Sequence, residues 1–173
     1  MDLEIGNYTI RDWVMDDVQS LANYANNKKI WINMRDRFAH PYKVTDAEKF
    51  IQNALNLTPK TMYAISNNTE AIGSIGLHIK EDVHRFTAEM GYWLGEPFWN
   101  KGIMTEIVKR YTQYAFDNFK LNRIFAEPYA TNKASMRVLE KAGFNREGVL
   151  RANVYKDGKI VDQVVYATIK EKK

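Results

Sequence analysis

The sequence predicts a mixed α/β fold, with a mostly antiparallel sheet of about seven strands and helices on both of its faces. Three observations point there. Apolar runs with two-residue alternation fill residues 62–94, helical periodicity marks residues 18–25, 47–57 and 105–119, and the order from residue 86 onward reads β-α-β-α-β-β. The chain has 173 residues, 45% hydrophobic, 27% charged and 13% aromatic, so one globular domain spanning residues 1–173 is expected. A chain of that length buries roughly two-thirds of its unfolded surface, enough to build a core with a cleft.

Each element follows from local chemistry. Residues 3–11 mix Ile5, Tyr8, Thr9 and Ile10 and end at charge, as an edge strand does. Asp16 or Asp17 caps a helix whose Val18, Leu21, Ala22 and Ala25 share a face, and Asn26-Asn27 breaks it. Thr45-Asp46-Ala47-Glu48 is a capping-box pattern ahead of the apolar face of Phe50, Ile51, Ala54 and Leu57, with Pro59 as the stop. Between these helices, residues 33–42 (N-M-R-D-R-F-A-H-P-Y) interleave aromatic and charged side chains without a period, as binding loops and solvated connectors both do. Two apolar runs in residues 62–79 flank Asn67-Asn68-Thr69-Glu70, a hairpin signal, and a third run over residues 86–94 ends at Gly95-Glu96-Pro97. Residues 105–119 place Ile107, Val108, Tyr111, Ala115, Phe116 and Phe119 on one helical face. A strand over residues 123–129 and a helix over residues 135–142 ended by Gly143 follow. Residues 149–155 and 161–169 then close the chain as a hairpin around Lys156-Asp157-Gly158-Lys159.

Composition removes several functional classes. Without a single cysteine there is no disulfide scaffold, zinc ribbon, thiol nucleophile or CxxC redox site, which fits a reducing cytoplasmic setting. The opening M-D-L-E-I-G-N-Y has no basic region followed by a long apolar run, and nowhere do about eighteen apolar residues follow one another, so neither an export segment nor membrane attachment is expected. The 25 Lys and Arg against 21 Asp and Glu give a net +4. Those charges are scattered and dense only over residues 170–173, which argues against a dedicated nucleic-acid surface. The histidines His40, His78 and His84 have neither metal-ligand spacing nor a Ser-His-Asp order behind them, so no metal is expected.

The most informative stretch is residues 98–106, F-W-N-K-G-I-M-T-E, between a predicted strand and the best predicted helix. A helix's first turn offers free backbone N–H groups and a partial positive charge. Gly102 there permits close backbone approach, Lys101 adds a cation and Thr105 a hydroxyl, a set suited to a pyrophosphate. One glycine before a helix is also an ordinary turn.

Several motifs in order and spacing add to this: N-M-R-D-R-F-A-H-P-Y, I-G-S-I-G-L, A-E-M-G-Y-W-L, W-N-K-G-I-M-T-E, N-K-A-S-M-R-V-L-E-K-A-G-F and K-D-G-K-I-V-D. Together they cover nearly the whole chain. The sequence resembles the GNAT superfamily of acyl-coenzyme A N-acyltransferases, and within it the branch of Rim-type ribosomal-protein N-terminal acetyltransferases. The resemblance implies acetyl-CoA as cosubstrate. It also implies a phosphate loop of the form Q/R-x-x-G-x-G/A, whose main chain here maps onto Asn100, Lys101, Gly102, Ile103, Met104 and Thr105. The chain departs from that form, with Trp99 in place of Gln or Arg and Met104 in place of a small residue. Because the binding groups are backbone amides, those changes weaken the pattern more than the chemistry.

By the same resemblance, the main chain of Trp93 and Leu94 pairs with the pantetheine arm, and Asn132 and Ser135 match an N-x-x-S/A element that meets it. Asn132 reads equally as a helix cap. Many relatives protonate the departing thiolate with a tyrosine four residues before the G-F pair. Leu139 stands there, and Ser135, one turn earlier, is the stand-in. Glu89 is the candidate base, either facing the cleft or paired with a structural cation. Arg35, Asp36, Phe38, Tyr42 and Tyr92, with Tyr155 or Asp162 of the last hairpin, are candidates for the acceptor groove.

These expectations amount to a monomeric or homodimeric N-acetyltransferase. Its acceptor is a peptide α-amine, or else a polyamine, aminoglycoside or amino acid. A non-catalytic acyl-CoA-binding module is the alternative of another class.

Overall fold

The computed structural model describes residues 1–170, so residues 171–173 of the basic tail lie outside the described residues. Eight strands are described: β1 (Asp2–Ile5), β2 (Tyr8–Arg11), β3 (Met62–Ser66), β4 (Ala71–Ile79), β5 (Thr87–Leu94), β6 (Arg123–Ala126), β7 (Asn145–Lys156) and β8 (Lys159–Ile169). The helices are α1 (Val18–Ala25), α2 (Lys28–Trp31), α3 (Val44–Asn56), α4 (Ile103–Asn118) and α5 (Lys133–Lys141). The strands form one sheet in the order β1-β2-β3-β4-β5-β6-β8-β7. Antiparallel registers join β1 to β2, β2 to β3, β3 to β4, β6 to β8 and β7 to β8. β5 and β6 are parallel, Thr87–Glu89 against Arg123–Phe125. Parallel neighbours need a crossover, and α4 supplies it. Among the described residues, no helix is long and apolar enough to cross a membrane.

Two compact units are distinguished. The first holds residues 1–76 and 92–103. Its core is built from Trp13, Leu21, Ala25, Ile30, Ala47, Ile51 and Ala54 with Ala64, Ala71 and Trp93 from the strands. The apolar spacing read for α1 and α3 thus faces this core, except that Leu57, just past the end of α3, is exposed. The expected single strand over residues 3–11 is instead a hairpin, because Gly6 takes a left-handed φ of 59° and turns the chain between β1 and β2. Helix α3 starts at Val44, ahead of the expected Thr45 cap. The reciprocal contact is made by Asp46, whose Oδ2 accepts from the Lys43 N–H at 2.9 Å. Asp17 is buried beside α1, where it takes two 2.7 Å bonds from the Arg11 guanidinium and one of 3.1 Å from the Val14 N–H. A buried carboxylate so satisfied is tolerable. In the β3–β4 turn, Asn67 Oδ1 accepts from the N–H groups of Thr69 and Glu70 at 2.9 and 2.8 Å.

The second unit holds residues 77–91 and the chain from Met104 onward. Ile107, Val108, Tyr111 and Ala115 of α4 are wholly buried, as the periodicity required. The Tyr166 hydroxyl of β8 donates to Glu140 Oε1 of α5 at 2.9 Å. The closing hairpin is longer than the alternation suggested. β7 carries register shifts between Arg146 and Gly148 and between Leu150 and Val154, and most of its residues are exposed, so no strict apolar period survives. At the second bulge Ala152 has a φ of 52° and its N–H donates to Asp162 Oδ1 at 2.8 Å.

Gly73 of β4 packs against the end of β5 so closely that a Cβ there would stand 2.5 Å from the Trp93 carbonyl oxygen and 3.1 Å from Leu94. Backbone cannot yield as a side-chain tip can. Gly73→Ala is therefore expected to destabilise the protein by about 1–3 kcal/mol, read as a lowered midpoint in chemical denaturation. An unchanged midpoint would contradict this packing.

Candidate functional site

The segment joining β5 to α4 is built from backbone conformation upward. Glu96–Phe98 form a 3-10 turn, Asn100 and Gly102 take left-handed φ values of 60° and 75°, and α4 begins at Ile103. Asparagine tolerates that region and glycine enters it freely. The left-handed φ favours glycine at position 102, and a Cβ there would meet nothing within 4 Å, so the space beside it is open. Ile103 and Met104 are buried, which commits their side chains to packing and leaves only their main chain for a ligand. Lys101 is exposed, its Nζ 5.7 Å from the centre of the Phe98 ring. Left-handed residues ahead of a sixteen-residue helix, with a lysine beside them, suit a phosphate.

Three side chains fix this segment. The Trp99 indole Nε1–H donates to the Leu94 carbonyl at 2.6 Å. Phe98 meets the Tyr24 ring edge-on at 5.6 Å. The Glu96 carboxylate accepts from Asn27 Nδ2 at 2.7 Å and from Lys29 Nζ. Leu94's carbonyl, one of the main-chain groups assigned by resemblance to the pantetheine arm, thus already has a donor. β5 itself runs on for Met90–Leu94 beyond the residues registered with β6. The side chains of Trp93 and Leu94 are buried, so any ligand contact there is through the backbone.

In the same unit, Phe38 lies 6.1 Å from Trp93, edge to face, and 4.9 Å from Tyr42. Tyr42 belongs to the core, and burial followed by the charge of Asp46 pushes its phenol up to about 12. Arg35 and Asp36 are exposed and Tyr92 is half-buried. His40 stacks on Trp31 at 5.4 Å.

In the other unit Glu89 is only 9% exposed and Oε2 takes a 2.9 Å bond from Lys80 Nζ, which also sits 5.4 Å over the Phe125 ring. The expected pairing of Glu89 with a cation is thus present. Asn132 Oδ1 accepts from the Ser135 N–H at 3.1 Å and caps α5, placing half-buried Ser135 in its first turn. Leu139, at the position where the resemblance implies a tyrosine, is wholly buried and has no proton to give. Thr105, half-buried, lies in the first turn of α4. Asp162 is committed to the Ala152 N–H. Tyr155 stands 69% exposed near the hairpin turn, paired across the strands with Ile160. His78 is half-buried in β4, and His84 ends an exposed turn.

Residues 7–145 match the family described as an acetyltransferase (GNAT) domain. The chain belongs to the GNAT acetyltransferases. Among curated relatives, the uncharacterized N-acetyltransferase YoaA of Bacillus subtilis is 40% identical over 101 residues, 58% of this chain and 56% of YoaA. The matched stretch thus spans little more than half of that relative. The uncharacterized N-acetyltransferase p20 of Bacillus licheniformis is 29% identical over 94% of this chain and 92% of its own. The ribosomal-protein-serine acetyltransferase of Escherichia coli is 28% identical over 72% and 70%. Among solved structures, the microcin C7 self-immunity acetyltransferase MccE, in complex with acetyl-CoA and AMP, has a TM-score of 0.83 at 26% identity, covering 96% of this chain and 94% of that one. The ribosomal α-N-protein acetyltransferase RimL, in complex with coenzyme A, has a TM-score of 0.87 at 22% identity over 98% of each chain, a likeness of fold.

Two residues that hold this turn are not legible in the sequence. Trp99 marked itself only as a departure from the family's loop, and its bond to Leu94 needs the turn to be folded. Glu96 read as part of a turn, and its partners lie 69 and 67 residues earlier, where no local signal reaches.

The bonds from Lys29 and then Asn27 hold the Glu96 carboxyl below its ordinary value. A carboxylate lowered in the folded state adds stability above the pH where the unfolded chain ionises, and that stability is lost as pH falls through the folded-state value. Glu96→Gln is therefore expected to melt below the wild type at neutral pH, with the gap closing as pH drops below 4.5. A gap that stays constant from about pH 7 to about pH 3 would refute the ionic character of this tie.

Proposed function

We propose that residues 1–173 act as one acetyl-CoA-dependent N-acetyltransferase domain that moves the acetyl group directly from the thioester to a primary amine. One observation carries the reading: the open, left-handed turn at Asn100 and Gly102 immediately ahead of α4. Main-chain nitrogens of Lys101, Gly102, Ile103, Met104 and Thr105 hold the pyrophosphate, with Lys101 adding charge, while the Trp93 and Leu94 backbone and the Asn132 region hold the pantetheine arm.

In the transfer, the nitrogen lone pair forms the new N–C bond as the C–S bond breaks, and the sulfur leaves as thiolate. The amine must lose its protons and the thiolate can gain one. Glu89 already shares its charge with Lys80, so it serves as a proton acceptor only through exchange with that ammonium or by way of water. Ser135 is the nearest substitute for the relatives' tyrosine. A coenzyme A thiolate leaves readily near neutral pH, so holding amine and thioester together supplies most of the acceleration.

For the acceptor, a protein or peptide α-amine is the favoured class, supported by the likeness to proteins named as ribosomal-protein acetyltransferases. Arg35, Asp36, Phe38 and Tyr92 are the groups proposed to meet it. A small amine is the second reading, supported by the burial of Tyr42, which removes one aromatic from the proposed groove.

Coenzyme A release with N-terminal peptides, polyamines and aminoglycosides decides between these acceptors. Binding of acetyl-CoA without release on any of them would leave only a binding module. Gly102→Glu is expected to abolish acetyl-CoA binding by calorimetry, with Gly102→Ala as the control for strain in the left-handed turn, which costs about 1–2 kcal/mol. Retained affinity in Gly102→Glu removes the loop from the site. Ser135→Ala is expected to lower kcat about tenfold while leaving coenzyme affinity within about twofold. An unaltered kcat dismisses its role as acid.

A further inference from the structure

Glu96 does more than close a turn. Its Oε2 takes the Asn27 side-chain amide at 2.7 Å and its Oε1 takes Lys29 Nζ. Asn27 and Lys29 stand at the entry of the segment that carries Arg35, Asp36 and Phe38. Asn27 Oδ1 also accepts from the Lys29 N–H at 2.8 Å, starting α2. The exit of the segment is pinned at the same place, since the Tyr42 N–H donates to Asn26 Oδ1 at 3.0 Å. Asn26 and Asn27 thus gather both ends of residues 27–42 onto one corner. Glu96 fastens that corner to the turn leading into Trp99, Asn100 and Gly102. A second contact, Phe38 against Trp93, is apolar and lies on β5.

We propose that Glu96 is a positioning residue that couples the acceptor-side segment, residues 27–42, to the coenzyme-binding turn, so that occupying one orders the other. This rests on the coenzyme reading of the 99–105 turn given above. The physical basis is that residues 32–42 and 99–102 lie outside helix and strand, where chain opens more readily than within regular elements. A ligand that fixes the turn fixes the Glu96 carboxylate, and a fixed carboxylate holds Asn27 and Lys29. Coupling of this kind is reciprocal: whatever orders residues 27–42 strengthens coenzyme binding by the same factor. The Glu96 side chain is 37% exposed and that of Lys29 is 67% exposed, which places the tie within reach of salt.

Hydrogen exchange of the full chain with and without coenzyme A tests this. In the wild type, coenzyme A is expected to slow exchange in residues 95–105 and also in residues 28–42, the latter by about fivefold. In Glu96→Ala the protection of residues 95–105 persists and that of residues 28–42 is lost, while Glu96→Gln, which keeps an acceptor oxygen for Asn27, restores part of it. Lys29→Met, at an exposed position, shows the same partial loss and carries the test if Glu96→Ala does not fold. High salt weakens the wild-type protection of residues 28–42 more than that of residues 95–105. Protection confined to residues 95–105 in the wild type, or full protection of residues 28–42 in Glu96→Ala, overturns the coupling. Absence of protection in both segments of the wild type rejects the coenzyme reading of the turn itself, and the coupling with it.

Discussion

A loop that binds through its own main chain cannot also satisfy that main chain internally. The turn between β5 and α4 lives under this constraint. The N–H groups of Gly95, Phe98 and Trp99 bond within the chain, and in the proposed role those from Lys101 onward are kept for the ligand, so side chains at the margins help to set the turn's shape. Trp99 reaches back to the Leu94 carbonyl, Phe98 rests on Tyr24, and Glu96 holds Asn27 and Lys29. Ile103 and Met104 then sink into the interior and start the helix. The two left-handed residues, Asn100 and Gly102, lie between these anchors.

The acid–base groups answer to a different limit. Glu89 is nearly buried, and a buried carboxylate without a partner is costly, so Lys80 accompanies it and in turn rests over Phe125. That arrangement keeps the charge in place but divides it. Leu139, at the position where the resemblance implies a tyrosine, is buried and has no ionisable group, so the proposed transfer rests mainly on holding the two reactants in place.

How much of this was legible in the sequence depended on range. The buried face of α4 and the Asn67–Glu70 turn obey rules that act within a few residues, and both were read directly. The split of residues 3–11 turned on whether Gly6 would adopt a left-handed angle, which composition alone leaves open. The start of α3 moved because Asp46 found the Lys43 N–H, a choice between adjacent registers of nearly equal chemistry. β7 was under-read because its exposed faces and two bulges erase alternation. The turn at Gly102 ahead of a helix is legible from local spacing, whereas the pairing of Glu96 with Asn27 spans 69 residues and exists only once the chain is folded.

A ligand pocket made of peptide groups has an evolutionary side. Selection there acts on φ and ψ, while the letters around the turn are free to drift as long as something else reproduces the shape. Trp99 illustrates the drift: a bulky aromatic stands where the resemblance implies Gln or Arg, and it still offers one N–H to the strand behind it.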